Sequence, residues 1–301
     1  MRPEPKWLRT TIAGIAASLA AGYALVFMAA SGNLPPIIDG LMLYGVGVLA
    51  ATIANSTGMG GGVVFLPAFE YLSTGGHVAI AAAQIVGMSF VIQSFGMTVG
   101  SLRWLNHIFG PNDTETNQVT FTRLLVLVLV CSLPTLLLAQ QFITSPPELV
   151  LYAFKALSIA LGLLVLATTW AAHGKVRDRK QPEFVDFAVV AVLSIIGGGM
   201  TAFFSVGTGE LVALYLFVRQ FPLVMTAAIA VIASAANVLV GVWDHIAFGG
   251  MPWEVLLFVI PGAVTGAYVA RGFALMLGPI RLKVFAASWI TLSSAYLLWA
   301  A

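Results

Sequence analysis

Seven stretches of the chain are apolar for long enough to cross a bilayer: 11–30, 79–100, 121–140, 150–171, 224–243, 254–271 and 284–300. Each approaches the ~20 residues that a helix needs to span ~30 Å of hydrocarbon. Two further regions, 40–72 and 184–219, are as apolar but are interrupted by clusters of Ser, Thr and Gly. The first interruption reads Asn55-Ser56-Thr57-Gly58-Met59-Gly60-Gly61-Gly62, and the second Ser205-Val206-Gly207-Thr208-Gly209-Glu210. No helix core favours such a run, because each Gly costs about 1 kcal/mol against Ala. The pattern therefore predicts all-α spans with two deliberate breaks.

Composition changes this picture little. Of 301 residues, 59% are hydrophobic and only 9% charged, against roughly a quarter charged in a soluble domain. The class is a polytopic helical membrane protein with the lipid bilayer as its surroundings. Short alternating segments, the mark of a β-barrel, are not seen. Nucleic acid is not an expected partner, since no basic patch with interleaved aromatics occurs. Cys131, the single cysteine, forbids an intrachain disulfide and reads as a small buried hydrophobe. The first apolar run is long for a cleaved signal segment and reads as a retained helix, with cleavage after Ala30 as the alternative.

Charge orients the chain. Lys and Arg gather in the N-terminal tail, in 172–183 and in 271–283, whereas 31–39, 141–149 and 244–253 contain neither. The basic set is expected inside and the other outside, placing the N-terminus in the cytoplasm and the C-terminus outside. Counting crossings, 40–72 must begin and end outside and 184–219 must begin and end inside. Residues Val63–Leu72 rise only about 15 Å, which suits the return arm of a re-entrant hairpin. The first arm of 184–219 is long enough to cross if its kink is mild.

The two tips align, with Ser56, Gly58 and Gly60 on Ser205, Gly207 and Gly209, and Ser89 and Gly96 on Ser234 and Gly241. The expected organisation is an N-terminal tail and helix (1–39), a first repeat (40–171), a basic cytoplasmic linker (172–183) and a second repeat (184–301). Each repeat is a hairpin plus three spans, and the second is inverted relative to the first, an architecture of secondary transporters.

At these residues the chain resembles the sulfite exporter TauE/SafE family. "STGMGGGVVFLPAF" is similar to the family's G-x-G-G-G-x-x-x-x-P signature, and "SVGTGELVALYL" falls where its second copy sits. Glu210 and Tyr215 stand where family proteins carry glycine and proline. The resemblance covers roughly 40–300 and implies movement of small sulfur-containing anions, such as sulfite, organosulfonates or related carboxylates, across a bacterial cytoplasmic membrane.

The breaks themselves suit an anion. Each opens a new half-helix whose first N–H groups lack internal partners, at the positive end of the helix dipole. Glycine lets an oxyanion approach the backbone. Substrate-binding candidates are Asn55, Ser56, Thr57, Gly58, Gly60, Gly61, Gly62, Ser205, Gly207, Thr208 and Gly209. The hydroxyls of Ser56, Thr57, Ser205 and Thr208 would add donors. Gln84, Ser89, Gln93, Ser234 and Asn237 either line the path or join helices.

Glu210 has three readings: a proton carrier coupling anion movement to the proton gradient, a cap on its own helix start, or a cation site. If ionised it must turn away or itself fill the second anion position. Lys155 reads as snorkelling or as a vestibule charge. Arg103 and Arg123 are expected only to set topology, and Glu70 to be solvated. His77, His107, His173 and His245 lack the spacing of a metal site, so no metal or cofactor is expected. No P-loop lysine, H-E-x-x-H or G-x-S-x-G points to an enzyme. An anion channel and a non-transporting scaffold are the alternatives, and the oligomeric state, monomer or homodimer, stays open.

Overall fold

The computed structural model describes residues 6–30, 34–58, 61–74, 80, 82–110, 116–142, scattered positions between 152 and 170, 181–248 and 250–299. Gly60, His77, Lys155, His173 and residues 172–180 of the basic linker 172–183 lie outside the described residues, as does most of span 150–171. Among the described residues every regular element is helical: α1 (Lys6–Ala29), α2 (Ile37–Thr57), α3 (Gly62–Thr74), α4 (Ala82–Phe109), α5 (Gln118–Phe142), α6 (Phe184–Phe204), α7 (Thr208–Val218), α8 (Leu223–Phe248) and α9 (Trp253–Trp299).

Seven of these are long and apolar enough to cross a membrane: α1, α2, α4, α5, α6, α8 and the part of α9 up to Gly278. Burial ranks them. The apolar window of α4 is 83% buried and that of α8 67%, whereas that of α1 is 6% buried. So α4 and α8 form the centre, and α1 lies on the periphery with Leu25, Phe27 and Met28 exposed. Exposed apolar side chains are the normal surface for a protein whose solvent is lipid.

Backbones approach closely where small residues line the seams, as expected without a hydrophobic drive between helices in lipid. Gly47 lies on Val259 O and Ala263, while Gly262 and Gly266 lie on Tyr44 O and Val48 O. These pairs rise together in number, so α2 and α9 run parallel, in the most extensive helix pairing among the described residues. In the central pair, Phe90 meets His245, and Ser101 Oγ reaches Val231 O at 3.4 Å. That order makes α4 and α8 antiparallel.

Three features differ from the sequence expectation. The turn in the basic segment 271–283 is narrower than expected: two helices meet at Gly278 (φ 73°, ψ 168°), where the backbone leaves helical geometry. Lys and Arg are good helix formers, so the charged residues lie in the flanking helical turns and the break falls on the glycine. Likewise α4 extends past residue 100 to Phe109, carrying Arg103 within it. Thirdly, the tips correspond in a different register. Gly58 (φ 76°) and Ser205 (φ 58°) are both left-handed C-caps of 21-residue helices, donating their N–H to Ala54 O and Thr201 O. Gly58 therefore matches Ser205 rather than Gly207, because the chain breaks at the residue that adopts positive φ and not at the motif letter.

Candidate functional site

Both breaks have unequal arms. At 1.5 Å per residue, the 21-residue helices α2 and α6 rise about 31 Å, and the 13- and 11-residue helices α3 and α7 only about 20 and 17 Å. Helices α3 and α7 are too short to span. Each begins inside the protein, near the middle of α4 and α8.

The two tips touch. A Cβ placed on Gly209 would stand 3.0 Å from Gly58 O and collide with Ser234 Oγ. One placed on Gly62 would press on Val206 and lie 3.1 Å from Ser205 O. Glycine is required at both positions because backbone from the other hairpin occupies the space of a side chain.

Gln93, from the middle of α4, ties the tips together. Its Oε1 accepts the Gly61 N–H at 2.8 Å. Its amide group donates to Ser89 Oγ at 2.9 Å, to Ser205 O at 3.2 Å and closely to Ser205 Oγ. Ser205 Oγ in turn donates to Ser89 Oγ at 3.1 Å. All three side chains are buried. Gln93 and Ser89 fall on one face because they are four residues apart.

The hairpins satisfy their helix starts differently. In the second, Glu210 accepts the Gly207 N–H at 2.7 Å, and Thr201 Oγ1 accepts the Thr208 N–H at 3.2 Å. Thr208 and Thr201 hydroxyls also lie 3.4 Å apart. The second hairpin thus caps itself, whereas the Gly61 N–H of the first is held by a side chain from another helix.

Several candidates stand elsewhere. Ser56 and Thr57 are buried, but their hydroxyls donate back along α2, to Thr52 O and to Ile53 O at 2.8 Å. Such back-bonding is the usual fate of a helical hydroxyl, and it withdraws two expected donors. Asn55 donates to Ala51 O at 2.9 Å, while its backbone oxygen takes Trp104 Nε1 at 3.0 Å. Its Oδ1, against Gly100, is buried and has no hydrogen-bond partner among the described residues. Gln84 is apart from the tips, reaching Gly250 O at the start of α4. Asn237 joins α8 to α5 through Ser132 Oγ at 2.9 Å, and Ser234 abuts Gly209. Among the described residues no group of three or more His, Cys, Asp or Glu could hold a metal.

Sequence reasoning missed Thr201, Trp104 and a polar clamp at the open end of the second hairpin. Asp186, fully buried near the start of α6, pairs with Arg219 Nε at 2.7 Å and accepts from Tyr215 OH at 2.7 Å. Its other oxygen accepts the Glu183 N–H at 2.8 Å. Arg219 also reaches Glu183 at 3.2 Å, and the Asp186 hydrogen bond raises its affinity for its proton. The available signal was an acid inside the otherwise apolar run 184–204.

Long apolar helices around two interrupted ones whose tips meet in the interior define a polytopic membrane protein of the transporter kind. The chain matches the family model described as Sulfite exporter TauE/SafE over residues 43–297, and it belongs to that family of membrane transporters. No curated protein and no solved structure matches it.

Proposed function

We propose that the protein is a secondary transporter moving a small sulfur-containing anion (sulfite, an organosulfonate or a related oxyanion or carboxylate) across the bacterial cytoplasmic membrane. The anion binds where the two hairpin tips meet. The single observation that carries this reading is the Gln93 bridge between Gly61 and Ser205.

The physical argument runs through the Gly61 N–H. It lies at the start of α3, where unpaired amides and the helix dipole favour negative charge. Gln93 Oε1 occupies the position that an anion oxygen would take. On binding, an oxyanion oxygen replaces Oε1 on this N–H. The Gln93 amide and the hydroxyls of Ser89 and Ser205 then donate to its remaining oxygens. These donors are neutral, so the anion is released without breaking an ion pair, as transport requires.

At the second tip the Glu210 carboxylate already serves the Gly207 N–H. This supports the capping role and leaves one substrate anion per junction. In the proposed orientation the N-terminus is cytoplasmic, the C-terminus is outside, and the second repeat is inverted relative to the first.

Counterflow in proteoliposomes preloaded with sulfite, sulfate, sulfonates or small carboxylates tests the reading. One of these anions should accelerate entry of its labelled form from the opposite side. Flux without such trans-stimulation would indicate a channel, and no flux of any of them would overturn the proposal.

A further inference from the structure

The geometry points to a second oxyanion site, separate from the tip junction, formed by the guanidinium groups of Arg103 on α4 and Arg271 on α9. Arg103 lies over the Tyr268 ring, its central carbon 4.2 Å from the centroid, and Arg271 follows Tyr268 by one turn on the same face of α9. The two guanidinium groups are close enough to repel each other.

Neither makes a hydrogen bond or an ion pair among the described residues, and the Nε of each is buried without a partner. Both are within apolar helices, Arg103 about 9 Å before the end of α4 at 1.5 Å per residue. A charge at such a position is costly and usually marks a ligand or a path. Snorkelling alone would send each head group outward. Here two like charges with unsatisfied Nε donors converge beside an aromatic face, and one shared oxyanion would relieve the repulsion and fill both forks.

The site adjoins the first hairpin. Trp104, next in sequence to Arg103, donates to Asn55 O at 3.0 Å, so α4 meets the end of α2 at the level of this arginine. The ligand is an oxyanion of sulfate or phosphate type, either a free anion on its way to the tips or the phosphate of a lipid headgroup. The free-anion source rests on the transport reading above, and the lipid source does not.

The test measures thermal stability of wild type and of Arg103→Gln/Arg271→Gln. Sodium sulfate is titrated in detergent at constant ionic strength, and nanodiscs of neutral phosphatidylcholine are compared with discs containing phosphatidylglycerol. Wild type should gain stability by mass action from one or both probes, and the double variant should lose most of that gain. Gain from sulfate assigns the soluble source, and gain from phosphatidylglycerol alone assigns the lipid. Arg103→Lys/Arg271→Lys, which keeps charge but not the forks, should retain only part of the gain. Gly61→Val, which disables the tip junction, should keep all of it, so failure of the transport reading is distinguishable. No gain in wild type, or equal gain in the Gln double variant, overturns the proposal.

Discussion

The two hairpins are built to one plan and finished differently. Both open with a 21-residue helix ending in a left-handed cap, Gly58 in one and Ser205 in the other. Both carry an aspartate in the first turn of that helix, Asp39 and Asp186. Asp186 is fully buried under Arg219 and Tyr215, whereas Asp39 is half-buried and makes no hydrogen bond or ion pair among the described residues. At the tips, the second hairpin caps its own amides through Glu210 and Thr201, while the first leaves Gly61 to Gln93. The lesson is a division of labour: the second hairpin is fastened at both ends by its own residues, and the first has its Gly61 amide held by a side chain from another helix.

The comparison breaks most severely at the contact itself. Gly62→Val and Gly209→Val each force a side chain into the backbone of the opposite hairpin. Both should abolish uptake in proteoliposomes while the protein still inserts and purifies. Transport retained by either variant would mean that the tips need not touch.

Gln93 comes next. Replacing it with Leu strands a buried N–H, at a cost of about 1–3 kcal/mol, and should lower both the melting temperature and the sulfur-anion affinity. Gln93→Glu keeps an acceptor on Gly61 but replaces the amide that donates to Ser205 O with a buried carboxylate, so it too should lower the melting temperature while abolishing anion binding. Anion binding that survives in Gln93→Glu would reduce Gln93 to a joint between helices.

A smaller effect belongs to the open ends. Asp186→Asn removes one partner of a charge pair that is buried on one side only, since the Arg219 side chain is 33% exposed. It should cost about 1–3 kcal/mol, below the range for fully buried pairs. Asp39→Asn should fall within about 0.5 kcal/mol of wild type. Thermal unfolding in detergent distinguishes them, and equal shifts would remove the asymmetry between the hairpins.

Least is expected from Glu210→Gln. The amide still accepts the Gly207 N–H, so only the charge-assisted part of that buried bond is lost, about 0.5–1 kcal/mol. Loss of a like charge should tighten anion binding modestly. If uptake driven by an imposed pH gradient disappears while exchange survives, Glu210 also carries the coupling proton.

Much of this was legible before any coordinates. The long apolar runs announced the spans, and Gly58, Gly60, Gly61 and Gly62 announced a break, because both depend on local chemistry. Less local matters stayed hidden. The Gly61 N–H could be recognised as needing an acceptor, but Gln93, 32 residues away, is chosen by the packing of α3 on α4. Ser56 and Thr57 looked like donors, yet the helix carbonyl four residues back competes for every such hydroxyl. Asp186 and Arg219 are 33 residues apart, and only folding brings them together. In 271–283 the charges marked a boundary between two spans, but the turn itself falls on Gly278, the residue that can adopt positive φ.

The most direct test places a cysteine at Ser205 in a Cys131→Ser background and follows its alkylation by a small thiol reagent in proteoliposomes. A transported sulfur anion, at saturating concentration, should slow labelling of the introduced thiol, with the same half-maximal concentration as uptake. Labelling that is indifferent to an anion the protein demonstrably moves would contradict a binding site at the meeting of the two hairpins.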